Sequence, residues 1–192
     1  AAIAVVVLLP GVLATQNSND GRVIRVGLYY GSGALISANL DNADGYGSGH
    51  RFGYFNENYS FVQLGYTTEE QISMLKSTNI YLTSSGTYSA TASSNDKGVV
   101  GCYHLRLPTT YADFESANTV ASGLSQGFTA WINGSYQVRW GSFSTSGEAE
   151  EAAAQLKSEL PAELQEVSVC WTSKYAVTVT RTGTTKILFQ FD

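Results

Sequence analysis

The stretch YHLRLPTTYADFESANTVASGLSQGFTAWINGSYQVRWGSFSTSGEAEEAAAQLKSELPAELQEVSVCWT, Tyr103 to Thr172, switches repeatedly between two hydrophobic periods. YHLRL (103–107) alternates apolar and polar residues, which reads as a strand closed by Pro108. Over Asp113 to Gln126 the apolar residues Phe114, Ala117, Val120, Ala121 and Leu124 fall at helical spacing. FTAWIN (128–133) and YQVRWGSF (136–143) alternate again around Gly134-Ser135, a two-residue hairpin signal. Thr145 and Glu148 have the spacing of a capping box, and Ala149, Ala152, Ala153, Leu156 and Leu160 make one apolar face before Pro161. EVSVCWT (166–172) is a last strand.

The order β-α-β-β-α-β predicts an α+β fold of the ferredoxin/RNP-like, split βαβ kind. An internal echo supports it: Tyr-x-Leu-Arg-Leu at 103 and Tyr-x-Val-Arg-Trp at 136 each lead into a helix. In that topology the first and third strands are central, the fourth lies antiparallel beside the first, and both helices cover one face. Side chains alternate across a strand. The expected helix-facing set is Tyr103, Leu105, Leu107, Phe128, Ala130, Ile132, Tyr136, Val138, Trp140, Val167, Val169 and Trp171. The expected open face carries His104, Arg106, Thr129, Trp131, Asn133, Gln137, Arg139, Ser168 and Thr172. Arginine and amide side chains offer directed hydrogen bonds, and a Trp ring is an apolar plate on which a sugar can stack. Trp131, Gln137, Arg139, Arg106, His104 and Asn133 are therefore the candidate glycan-binding residues, the bland alternative being that Trp131 is simply covered by flanking strands.

The flanks read as mostly β. Strands are expected over 23–30, 34–40, 60–66 and 79–83, with a short helix near 69–76. A hairpin is expected over 175–191 around Gly183. The organisation expected is a signal segment (1–14), a β-rich region (15–100), the α+β unit (101–172) and a hairpin (173–192) that starts a truncated or returning β region. Pairing between the flanks would make the α+β unit an insertion. AAIAVVVLL (1–9) is an apolar run broken by Pro10-Gly11 and followed by small residues suited to a cleavage site. It is shorter than the ~20 residues of a spanning helix, so an exported, cell-envelope location is expected, with no membrane contact beyond this signal or anchor. The missing Met and the abrupt end in KILFQFD suggest a fragment.

Composition narrows the function classes. Of 192 residues only 14% are charged, the net charge is −5, and no basic cluster exists to neutralise phosphates, so nucleic acid is excluded as a partner. Two His and two Cys, at 50, 104, 102 and 170, lack the close spacings of a four-ligand structural zinc site, and no metal or cofactor is expected. Cys102 and Cys170 fall on the open face near each other by antiparallel pairing, as a disulfide candidate or as two buried thiols. No catalytic residue is assigned. Ser73 with Lys76, Ser93 with Asn95, and Arg181 with Gly183 follow the order of penicillin-binding motifs, but sixteen residues between Lys76 and Ser93 leave no room for that fold. The glycines at 45, 47 and 49 read as a surface loop, and Asn58 and Asn133 stand in sequons.

At YQVRWGSFSTSGEAEEAAAQL (136–156) the chain resembles a SPOR domain, the sporulation-related repeat of bacterial envelope proteins. The matching pattern is an aromatic-x-Val-x-x-Gly-Ser-Phe strand, then Ser/Thr, then an Ala-rich helix opening with Glu-Ala. IRVGLYYGSGALISANL (24–40) and TKILFQFD (185–192) are similar to the N-terminal region of SpoIID/LytB (stage II sporulation protein D/amidase enhancer) proteins. The resemblance implies a unit that binds peptidoglycan glycan strands stripped of stem peptides on its open sheet face. It carries over Gln137 and Arg139 by position. YHLRLPTTYADF (103–114) departs from the pattern by lacking Gly-Ser-Phe. Nothing matches the catalytic region of the family, so the expectation is a targeting module and not an enzyme. Two alternatives stand beside it: the N-terminal part of a lytic transglycosylase or amidase activator, and a protein-docking module in a sporulation or division complex.

Overall fold

The computed structural model describes residues 35–42 and 47–191. The signal segment 1–14 and the strand expected over 23–30 lie outside them. The α+β segment runs in the expected order: β8 (Tyr103–Tyr111), α1 (Phe114–Ser122), β9 (Gly127–Ile132), β10 (Ser135–Phe143), α2 (Ser146–Glu159) and β11 (Ser168–Trp171). Before it come β1 (Ser37–Asp41), β2 (His50–Phe55), β3 (Phe61–Thr67), β4 (Gln71–Lys76), β5 (Ile80–Leu82), β6 (Tyr88–Ser89) and β7 (Gly98–Val100). After it come β12 (Ala176–Arg181) and β13 (Thr184–Gln190). The fold is α+β, with two α-helices among the described residues and one mixed sheet ordered β1-β4-β12-β13-β9-β10-β8-β11.

Local chemistry sets both helix starts. Asp113 accepts the Ser116 amide as N-cap of α1, and the expected capping box between Thr145 and Glu148 forms at α2. Both helices pack on one sheet face. Phe114, Ala117 and Ala121 of α1 and Ala149 and Leu156 of α2 join Leu105, Leu107, Tyr136, Val138, Ile187 and Phe189 in one core. Hairpin β2-β3 extends the cover of that face, stacking Phe52 on Phe189 at 5.5 Å and Tyr66 on Phe114 at 5.3 Å. On the other face the small sheet β6-β5-β7 packs Ile80 and Val100 against Leu75 of β4.

The flanks do pair. β4 joins β12 antiparallel, and β13 runs parallel to β9, the one parallel ladder between these strands. One sheet therefore spans the expected boundaries at 100/101 and 172/173, and the chain from Leu35 onward forms a single compact unit. The segment expected as a helix over 69–76 is strand β4. Its apolar residues Ile72 and Leu75 have a helical spacing because this inner strand buries both faces, which removes the period-two signal.

The hairpin between β9 and β10 turns at Asn133-Gly134 and not at Gly134-Ser135. Their φ values of 47° and 94° are both positive, as a type I′ turn requires. The β12-β13 turn repeats this at Thr182 and Gly183, with φ 48° and 84°. No helix among the described residues is long and apolar enough to cross a membrane.

Candidate functional site

The sheet face away from the helices is set by β8, β10 and β11. Cross-strand partners share a face, and Ser168, Arg106, Arg139 and Phe128 form one row across β11, β8, β10 and β9. Beside it Cys170 lies opposite His104, and Gln137 lies opposite both Thr110 and Ala130. His104, Arg106, Gln137 and Arg139 thus share the face expected for them. Their accessibility differs sharply: Arg106, Thr110 and Ser168 are exposed, whereas His104 is 0%, Arg139 4% and Gln137 8% exposed.

Trp131 is not on this face. It pairs with Tyr136, packs into the core on the helix side and stacks on Phe191 at 4.9 Å. Thr129 likewise points to the helices and donates to Asn118 Oδ1 of α1 at 3.5 Å. Phe128 and Ala130, expected under the helices, pack instead with Leu188 and Ala176 on the opposite side, with Ile132 against them. The cause is geometric: β9 is apolar on both sides, so its pattern leaves the choice to the register, and that register places Trp131 with Tyr136. Asn133 sits at the exposed hairpin tip, its amide donating to the Gln190 carbonyl. Trp171, expected in the core, is 67% exposed on the edge strand. Thr172, expected on the open face, is buried and accepts from the Ser77 hydroxyl.

The cysteines are free thiols. The β8-β11 register puts Cys170 across from His104, while the Cys102 carbonyl accepts the amide of Thr172, two residues further on. They are thus offset along the ladder, and of the two alternatives the structure has separate thiols, both half-buried. The Cys170 thiol donates to the His104 carbonyl at 3.4 Å.

Electrostatics make the site unusual. Arg139 Nη2 donates to Gln137 Oε1 at 3.4 Å, but Nε and Nη1 have no acceptor, and among the described residues no carboxylate pairs with this guanidinium. Burial pulls its pKa below the ordinary arginine value, and Arg106 adds repulsion that the Cys170 side chain opposes. A guanidinium stays protonated even so. Burial, and then the Arg139 charge, hold the His104 imidazole down at about 3, against a smaller contrary effect from the Gly101 backbone. His104 is therefore neutral, its ring edge-on to Phe128 at 5.0 Å. Burial pushes the Cys170 thiol up, more than the two arginines pull it down. A thiol so held is a poor nucleophile.

No protein-family model, curated protein or solved structure matches the chain. The functional reading rests on these side chains alone. They are one exposed and one buried cation, an amide, and hydroxyls at the rim, a set of donors suited to an acceptor-rich ligand. Among the described residues no three His, Cys, Asp or Glu side chains gather as a metal site would need.

A second group escaped the sequence reading. Asn39, Asp41, Gln71 and Ser73 line a cleft of about 620 Å³ beneath Tyr88 and Lys97. The alternation of Asn39 with Asp41 and of Gln71 with Ser73 was the available signal. The helical spacing of Ile72 and Leu75 masks it.

Proposed function

We propose that this protein is a glycan-binding module, of the SPOR type, that brings a cell-envelope protein to peptidoglycan strands. The observation that carries the reading is the pairing of Arg106, exposed, with Arg139, buried and unneutralised, on the helix-free face of the β-α-β-β-α-β segment. The strand order β9-β10-β8-β11, with antiparallel neighbours throughout, is the order the ferredoxin-like SPOR arrangement has, which supports the resemblance at 136–156.

A glycan chain laid along β8 and β11 meets the Arg106 guanidinium and the hydroxyls of Thr110 and Ser168 at the surface. Behind them Gln137 and Arg139 complete the donor set, and His104, held neutral, adds no further charge. Arginine suits this role because its planar fork presents several fixed donors. Trp131 takes no part, since it lies on the helix side. Export to the cell envelope, as the signal segment implies, belongs to the same proposal.

Retention of the full chain on amidase-treated sacculi tests the reading. Binding above that to untreated sacculi is expected, and Arg106→Ala lowers it several-fold while the protein stays folded. No retention, or retention unchanged in Arg106→Ala, overturns the proposal. The enzymatic and docking alternatives have no comparable observation in their favour.

A further inference from the structure

The cleft at the far end of the sheet is the second place where polar side chains converge. Strand spacing of ~4.8 Å puts β4 about 24 Å from β8, so it is separate from the Arg106 face. Its floor is a polar ladder across β1 and β4. Ser73, opposite Asn39, donates to Asn39 Oδ1 at 2.7 Å, and Gln71, opposite Asp41, donates to Asp41 Oδ2 at 2.9 Å. These bonds fix the four side chains yet leave further capacity, since each amide has a second polar atom and Asp41 a second oxygen.

The facing wall is different in kind. Tyr88 and Leu82 of the small sheet, cross-strand partners on one face, present an aromatic ring and an aliphatic side chain. The Tyr88 hydroxyl accepts the Gly183 amide at 3.3 Å, which anchors the ring. Arg181 closes one end with its charge already met by Glu69, which also lies 3.4 Å from Lys186. Lys97 is the remaining cation of the lining, exposed and without an ion pair among the described residues.

The chemistry selects a ligand class. Asp41 is the one carboxylate of the lining, so the pair of carboxylates that sugar hydrolysis uses is not present there and the proposal is one of binding. One carboxylate is too few for calcium, which takes six to eight oxygens. One free lysine with no neighbouring helix start is a weak phosphate site. What remains is a polar ladder facing an aromatic and aliphatic wall, with a volume inside the ~300–1,000 Å³ of small-molecule sites. A sugar ring has that shape and polarity, with C–H faces for the wall and hydroxyls for the ladder. We propose that this cleft is a saccharide pocket holding one or two neutral sugar rings, with Asp41, Gln71 and Asn39 on the hydroxyls and Tyr88 against the ring face. The inference does not depend on glycan binding at Arg106.

Separate NMR titrations of the full chain with maltose and with N,N′-diacetylchitobiose test it. With at least one of the two sugars, saturable amide shifts are expected at residues 39–41, 71–73 and 88, at millimolar affinity or tighter. Asp41→Asn, isosteric and exposed, weakens binding about ten-fold or more, because a charged acceptor is exchanged for a neutral amide. The shifts at 39–41, 71–73 and 88 stay as in the wild type in Arg106→Ala, whatever that variant does to signals of its own face. Lys97→Met, on the exposed wall, shifts affinity less than Asp41→Asn and serves as a second folded variant. Absence of saturable shifts with both sugars, shifts confined to the Arg106 face, or wild-type affinity in Asp41→Asn overturns the pocket. Loss of retention on sacculi in Arg106→Ala with an intact disaccharide titration keeps the two sites distinct.

Discussion

The two faces of the long sheet are built on different rules. Under the helices, Leu105, Leu107, Val138 and Ala117 are all 0% exposed and belong to one continuous apolar core. On the other face, the buried side chains include His104, Gln137, Arg139, Thr178 and Thr180. Burying an apolar group stabilises by about 25 cal/mol per Å². Burying a guanidinium without a counter-charge costs several kcal/mol. The helix face carries the larger apolar core, and the other face, beside its two smaller apolar clusters, carries the cost of a buried charge. A site for an acceptor-rich ligand gives that cost a reason.

Substitutions should separate the faces. Leu105→Ala on the helix face should lower the stability by about 2–5 kcal/mol, read as the denaturation midpoint, because the fully buried site cannot readily collapse. A loss under about 1 kcal/mol would remove the distinction. On the other face, pH is the lever. His104 titrates near 3 when folded and near 6.5 when unfolded. Between those values the unfolded chain binds a proton that the folded one does not, so this group lowers stability as the pH falls through that window, by of order a few kcal/mol in all. Unfolding curves from pH 7 to 4 should be steeper in pH for the wild type than for His104→Leu, and equal slopes would show that the imidazole is not held neutral. The smallest effect belongs to the rim: Glu69→Gln, at a partly exposed pair with Arg181, should cost about 0–1 kcal/mol and fade with added salt.

The same contrast decides what could be read from the chain. The capping box at Thr145 and Glu148, the Phe114-Ala117-Ala121 stripe and the strand-helix order announce themselves because one side of each element meets solvent or a cap. β4 and β9 lack that contrast. QISMLK (71–76) buries Ile72, Ser73 and Leu75, a spacing that mimics a helix. In β9 both Phe128 and Trp131 are apolar, so only the pairing with β10 tells which one faces the helices. The candidate site was legible for Arg106, Gln137 and Arg139, whose strands carry clear alternation, and failed at Trp131 for this reason. Burial of His104 and Arg139 was not legible either, since it depends on the full width of the sheet and not on their own strands. Nor was the offset of Cys102 from Cys170, which follows from the β8-β11 register.

Arg139 is where the account is most exposed to test. Arg139→Met keeps much of the side-chain volume and removes the unpaired charge. Measured together on that one variant, stability and retention on amidase-treated sacculi should move in opposite directions: stability rising by about 1–4 kcal/mol, retention falling several-fold. A variant less stable than the wild type, or one retained equally well, would contradict the claim that this buried charge is kept for a ligand.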